Sequence, residues 1–275
     1  MAVTPLTQFL FNVFITIAVL VTFYTCNFYY LVLLSRHTRK YQKTELLGSP
    51  TVTIQLPIYN EKYVAARLVN AVCAMDYPKE KMCIQILDDS DDDTYDILEN
   101  LVIDYQKKGF DISHICRANR KGYKAGALRS AMKFVKGNFV AIFDADFIPP
   151  NWFLKKAIPY FTKPEIGLIQ CKWGHVNEKY SALTQAQALS LDFHFLVEQN
   201  AKSNSHLYMS FNGTAGIWRK ECIEDAKSLI KEKGLKDYQT DILSTAVALF
   251  EKRASHSIYW KESSSKEKFD EMFNK

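Results

Sequence analysis

The chain has 275 residues, 48% hydrophobic and 24% charged, with 35 Lys and Arg against 30 Asp and Glu for a net charge of +5. That excess is small and spread along the sequence, so no nucleic-acid partner is expected. Six cysteines (Cys26, Cys73, Cys83, Cys116, Cys171, Cys222) lie without paired spacing, and the six histidines show no ligand spacing. This excludes a zinc signature and a disulfide framework and fits reduced thiols in the cytosol.

Residues 1–35 contain no Asp, Glu, Lys or Arg, and Leu6 to Leu34 is apolar apart from scattered small polar residues. This run exceeds the ~20 residues a helix needs to cross a bilayer. It lacks the basic start, short apolar core and small-residue cleavage site of a signal peptide. Residues 1–35 are therefore expected to be a single-pass transmembrane anchor, with Tyr24, Tyr29 and Tyr30 near an interface. Residues 36–50 read as a basic juxtamembrane linker. Its Arg36, Arg39, Lys40 and Lys43 place the remainder of the chain in the cytosol and suit an anionic leaflet.

From Thr51 the pattern alternates. Strands are predicted at 51–56, 82–87, 112–116, 139–143 and 167–173. Helices are predicted from the turn Pro57–Glu61 to about Met75, and over 92–107, 122–135 and 152–161. Ile97, Leu98, Leu101, Val102 and Tyr105 recur at helical spacing. Strands alternating with helices imply βαβ units and a mostly parallel, doubly covered sheet. The mixed segment 181–199 reads as a core helix, since its polar face lacks the basic residues of a membrane-surface helix. No internal repeat or low-complexity tract is present.

Two strand ends carry acids: Asp88-Asp89, and Asp144-Ala145-Asp146 ahead of Pro149-Pro150. Residues i and i+2 of a strand share a side, so Asp144 and Asp146 are expected to face one spot, where their repulsion calls for a cation. Open α/β sheets bind ligands at the carboxyl ends of their strands, so a divalent metal holding a phosphorylated ligand is the natural occupant. Between the acids, Arg117-Ala118-Asn119-Arg120-Lys121-Gly122-Tyr123-Lys124-Ala125-Gly126 is a basic, glycine-punctuated loop entering a helix, which suits an anion. Together these describe a nucleotide-diphosphate site. No G-x-x-x-x-G-K-[ST] occurs, so it is not a P-loop. An aspartyl phosphatase is argued against by Ile148, where that class needs Thr or Val, and by acids lying upstream of the D-x-D pair.

Five segments in this order carry a resemblance: Pro57–Glu61, Ile86–Ser90, Gly122–Leu128, Phe143–Phe147 and Phe211–Arg219. The set resembles the family-2 inverting glycosyltransferases, nearest the plant-type mannan synthase and cellulose-synthase-like branch, which Leu191–Phe195 and Val197–Gln199 also resemble. The resemblance runs to about Asp225. It implies an α/β fold of GT-A type, a Rossmann-like mostly parallel sheet, over residues 51–225. The donor it implies is a nucleotide diphosphate sugar, GDP-mannose or UDP-glucose, used with Mg²⁺ or Mn²⁺ and a glycan acceptor. By resemblance Tyr59, Glu61 and Asp89 hold the nucleoside with Asp88 nearby, and Lys124 contacts the diphosphate. Asp144 serves donor and metal, Asp146 the metal, while Phe211, Asn212, Gly213 and Thr214 line the acceptor site.

An inverting transferase needs a base for the acceptor proton, and the family supplies it from a Thr-Glu-Asp motif. That motif and a Gln-x-x-Arg-Trp motif are absent from this sequence. Asp241, in Tyr238-Gln239-Thr240-Asp241, is the candidate base, with Asp237 close by. Residues 226–275 are rich in Lys, Glu and Ser and read as a divergent, disordered or truncated segment of a longer synthase. These departures leave two alternatives: a nucleotide-sugar-binding chain that performs no transfer, and a transferase acting on a lipid phosphate.

Overall fold

The computed structural model describes residues 4–36, 48–164, 166–205, 207, 209–232 and 256–260. In chain order the elements begin α1 (Pro5–Ser35), β1 (Val52–Ile58), α2 (Ala65–Cys73), β2 (Met82–Asp88), α3 (Thr94–Lys107) and β3 (Asp111–Cys116). They continue α4 (Tyr123–Ala131), β4 (Phe139–Ile142), α5 (Phe153–Ala157), β5 (Ile166–Cys171), α6 (Ala182–Phe193), α7 (Asn200–Asn204), β6 (Gly216–Arg219), α8 (Lys220–Glu232) and β7 (His256–Trp260). Two compact units result, one drawn from 1–39 and 175–207, the other from 40–174 and 208–275.

In the first unit α1 starts where its chemistry dictates. Thr4 caps it by accepting the Thr7 N–H at 3.3 Å, and Pro5 takes a first-turn position where a missing N–H costs nothing. Thr16, Thr22 and Thr25 donate their hydroxyls to carbonyls four residues earlier, so the helix satisfies its own polar groups. Its mean hydropathy reaches 2.1, and among the described residues it is the one helix long and apolar enough to cross a membrane. Segment 181–199 meets the core-helix expectation only toward its C-terminal end. α6 buries Ala188 alone and leaves Leu183 and Leu189 exposed. The burial falls instead on the π-helical turn 194–199 and α7, through Phe195, Gln199 and Ala201. These pack on α1, with Phe28 against Phe193 and Asn200 Nδ2 donating to the Ser35 carbonyl at 3.1 Å. Periodicity marks an apolar face; it does not say which neighbour covers it.

The second unit is built on a sheet of order β3-β2-β1-β4-β6-β5-β7. β6 runs antiparallel to both neighbours, and every other pairing is parallel. The expected strands are all present; β6 and β7 were not anticipated. β6 is only four residues long and opens with glycine, too little for alternation to register. Val52, Ile54, Leu56 and Ile58 of β1 point into the main core with Leu68, Val72, Leu98, Val102 and Leu154. The other side of β1 and β2 carries Thr53 and a buried Gln55–Gln85 pair (Nε2 to Oε1, 3.0 Å) beneath α4. Each fully buried aliphatic side chain contributes about 1.5–3 kcal/mol, and β1 is covered on both faces. The chain winds outward from β1 to β3, then crosses back to β4 on the other side of β1. That reversal opens a crevice above the carboxyl ends of β1 and β4, the usual ligand position in such sheets.

Candidate active site

The acids after β4 are set by a turn rather than by the strand. β4 ends at Ile142, and the Phe147 N–H donates to the Asp144 carbonyl at 3.1 Å. The alternation expected to align Asp144 and Asp146 therefore stops before it reaches them. Asp144 is half-buried, its N–H donating to Thr214 Oγ1 at 2.9 Å, while Asp146 is exposed. Lys124 Nζ bridges Asp144 Oδ1 and the Gly213 carbonyl, the latter at 2.9 Å. Burial still holds the Asp144 carboxyl above its ordinary value against the pull of Lys124, and the Asp146 charge adds to the rise. Arg67 donates to the Asp146 main-chain carbonyl at 3.2 Å, but among the described residues no group pairs with the Asp146 carboxylate. Glu61, just past β1, is raised by burial, then by Asp146 and Asp144. Three carboxylates thus share one field in which Lys124 alone pairs with a carboxylate, while Arg67 is held on the Asp146 main chain. Such an oxygen-rich, under-neutralised set fits a hard divalent cation.

The acids at the end of β2 are treated oppositely. Asp88 is buried, with Oδ2 bonded to His114 Nε2 at 2.9 Å and Oδ1 accepting the Ser90 N–H at 2.8 Å. His114 Nδ1 faces Glu99 at 2.7 Å, and Tyr95 lies across the ring at 4.9 Å between centroids. Burial opposes charge on both groups, yet these hydrogen bonds outweigh it, leaving Asp88 below and His114 above their ordinary values. Asp88, His114 and Cys116 offer donor atoms within 4.8 Å of one another. Both ring nitrogens of His114 are already engaged, by Asp88 and by Glu99, so the cluster is held together by its own hydrogen bonds. The Cys116 thiol is pushed up by burial and then by Asp88 and Glu99. Asp89 is clamped by Arg117 through Nε at 2.9 Å and Nη2.

Arg117 also shapes the basic loop, donating to the carbonyls of Lys121 at 3.0 Å and Tyr123 at 3.1 Å. Gly126 is required there: a Cβ would lie 2.0 Å from the Lys121 carbonyl and 2.8 Å from Arg117 Nη1. Arg120 stacks over the Tyr59 ring, 3.2 Å from its centroid. Asn60, Tyr123 and Ala215 are non-glycine residues with positive φ, and they lie after β1, after β3 and beside the end of β4. Backbone in this region costs about 1–3 kcal/mol per residue, so the surroundings must over-determine it. At Asn60 they do so through mutual bonds with Asp91 and a Ser90 hydroxyl on its N–H.

Tyr59, Glu61, Asp88, Asp89, Lys124, Asp144, Asp146 and the 211–214 segment therefore converge on one edge of the sheet, while Asp237 and Asp241 lie outside the described residues. Asp88 and Thr214 act from behind that edge: both are buried and their side-chain oxygens are engaged within the protein. The sequence reading missed Arg117, His114 and Gln170 as organisers of the site. Only the basic loop hinted at Arg117, and as an anion ligand rather than an acid's partner.

A model of the glycosyl transferase family 2 matches residues 53–223. Among curated proteins, the probable glucomannan 4-beta-mannosyltransferase 4 of Oryza sativa subsp. japonica is 44% identical over 187 residues, covering 66% of this chain and 34% of that protein. Glucomannan 4-beta-mannosyltransferase 1 of Cyamopsis tetragonoloba is 44% identical over 185 residues, covering 64% and 35% respectively. The chain thus spans about a third of the length of these relatives. Among solved structures, a Pyrobaculum calidifontis mannosyltransferase in complex with GDP-Man and Mn²⁺ superposes with TM-score 0.66 at 18% identity, covering 86% of this chain and 62% of that one. S. aureus TarS gives 0.52 at 20% identity, with 73% and 34% covered. These likenesses share the fold. With the ordered motifs and the family match across more than half of its length, the chain belongs to glycosyl transferase family 2.

Proposed function

We propose that the protein transfers a hexose from a nucleotide diphosphate sugar to a glycan acceptor with inversion, from a single-pass membrane anchor with the sheet unit in the cytosol. The observation that carries this reading is the trio Glu61, Asp144 and Asp146, under-neutralised at the switch-point crevice beside the basic loop and Lys124. Asp144 and Asp146, with Glu61 in the same field, would hold Mg²⁺ or Mn²⁺. When bound, that ion neutralises the diphosphate as it leaves. Tyr59 and the β2 edge at Asp89 would bind the nucleoside, and Lys124 would exchange its bond to Asp144 for a phosphate oxygen. Residues 211–213 would line the acceptor side. The acceptor hydroxyl attacks the anomeric carbon from the face opposite the diphosphate and gives its proton to a base, for which Asp241 is the candidate. Relatives named glucomannan mannosyltransferases support mannose, and so GDP-mannose over UDP-glucose.

A sugar-nucleotide panel titrated with Mg²⁺ or Mn²⁺, on the wild type and Asp146→Ala, tests the donor site. Metal-dependent binding that is lost in the variant is expected; equal binding contradicts the assignment. Product analysis with a glycan acceptor in the same samples separates transfer from binding alone. A lipid-linked product in membrane extracts would instead identify a lipid phosphate acceptor.

A further inference from the structure

Gln170, in β5, is fully buried, and its side chain serves one purpose. Nε2 faces three carbonyls, those of Thr214 at 3.0 Å, Cys171 at 3.1 Å and Ala215 at 3.3 Å, while Oε1 accepts the Asn212 N–H at 3.1 Å. One primary amide therefore spans both ends of the loop 212–215. The loop needs such a template. Gly213 and Ala215 both have positive φ, and Ala215 takes that conformation against the preference of a residue with a Cβ. Its N–H donates to Ile142 O at 2.9 Å and its carbonyl accepts the Cys171 N–H at 2.9 Å, with Gln170 adding to the same oxygen. Gly216 follows because a Cβ there would meet the Phe211 ring at 2.5 Å.

The loop presents two groups to the acid site. The Gly213 carbonyl accepts from Lys124 Nζ, and Thr214 Oγ1 accepts the Asp144 N–H. We infer that Gln170 is a positioning residue for the donor end of the site, setting Lys124 and Asp144 through the 212–215 loop; this rests on the donor-site reading above. Glutamine is the residue the position demands. Leucine of similar size leaves a buried N–H and carbonyls unpaired, and glutamate sets a charge against three carbonyl oxygens.

The test compares the full chain in detergent as wild type, Gln170→Leu and Gln170→Glu with a control carrying both Gln55→Leu and Gln85→Leu. The control removes an equally buried amide pair on β1 and β2, whose side chains hydrogen-bond to each other. Under conditions where circular dichroism shows every variant folded, Gln170→Leu is expected to weaken Mn²⁺-dependent sugar-nucleotide binding about tenfold or more, as loss of a supporting shell does. The control keeps wild-type affinity even where its thermal midpoint falls as far. Combining Gln170→Leu with Lys124→Ala costs less than the sum of the two, because the Gly213–Lys124 contact is one of the two routes by which the loop reaches the site. Amide exchange at Asp144 gives a ligand-free readout: it quickens in Gln170→Leu and stays slow in the control. Wild-type affinity in folded Gln170→Leu, full additivity with Lys124→Ala, or unchanged Asp144 exchange would each overturn the inference. A wild type that binds no sugar nucleotide overturns the donor reading instead, and the exchange experiment still decides the role of Gln170.

Discussion

Two acid pairs flank β1 at the same edge of the sheet, and the protein treats them in opposite ways. Asp88 and Asp89 at β2 are closed in by His114, Ser90 and Arg117. Asp144 and Asp146 beyond β4, with Glu61, meet one lysine for three carboxylates. At β2 each acid has an internal partner and builds the scaffold. At β4 charge is left in excess, which stabilises nothing by itself and favours an external cation. The same residue type is thus structural or chemical according to how many counter-charges the fold brings to it.

The comparison can be broken at its strongest point first. Asp89→Ala strands the Arg117 guanidinium, 13% exposed at its side chain, without its partner. A loss of about 3–5 kcal/mol is expected, read as a large fall in thermal midpoint; a shift no greater than that of Asp146→Asn would erase the distinction. Asp146→Asn removes an exposed, unpaired charge, so its effect on stability stays within about 0.5 kcal/mol. Its Mn²⁺ affinity, measured by titration calorimetry, falls about 10- to 100-fold, and retained affinity counts against the metal assignment.

A smaller effect appears in the pH dependence of stability. His114 is raised, so its contribution is complete below about pH 6.5 and is lost as pH climbs through its higher folded value. Asp88 is lowered, so its contribution is present above about pH 3.9 and disappears as pH falls through its lower folded value. A fall in denaturation midpoint as pH rises above about 6.5 is therefore expected of the wild type and should be missing from His114→Gln; parallel curves would refute the ion pair. Glu61→Gln gives the smallest change. Relief of its repulsion with Asp146 and Asp144 raises metal-free stability by a few tenths of a kcal/mol and flattens the gain on adding Mn²⁺. A stability loss would show that Glu61 is paired after all.

Much of the fold was legible because β1 to β5 are apolar runs separated by turn residues and amphipathic helices, each a local signal. The placement of the candidate donor residues was legible because their motifs sit at the strand ends where such sheets bind ligands. β6 was not, since four residues opened by a glycine carry no period. Nor were the partners of the acids. Asp89 and Arg117 are 28 positions apart, and Lys124 meets Gly213 across 89. Gln170 carries no local signal, and only the return of the chain into β6 beside β5 gave its amide something to hold.

The sequence by itself determined the apolar first helix, the order of strands and helices, the placement of acids and glycines at the strand ends, and membership of the family. Periodicity, turn chemistry and motif spacing are all short-range properties. Tertiary structure alone decided which acids are paired within the protein and which are left in excess. That outcome depends on cations and carbonyls brought in from distant strands, and on burial, which sets the cost of every unpaired charge.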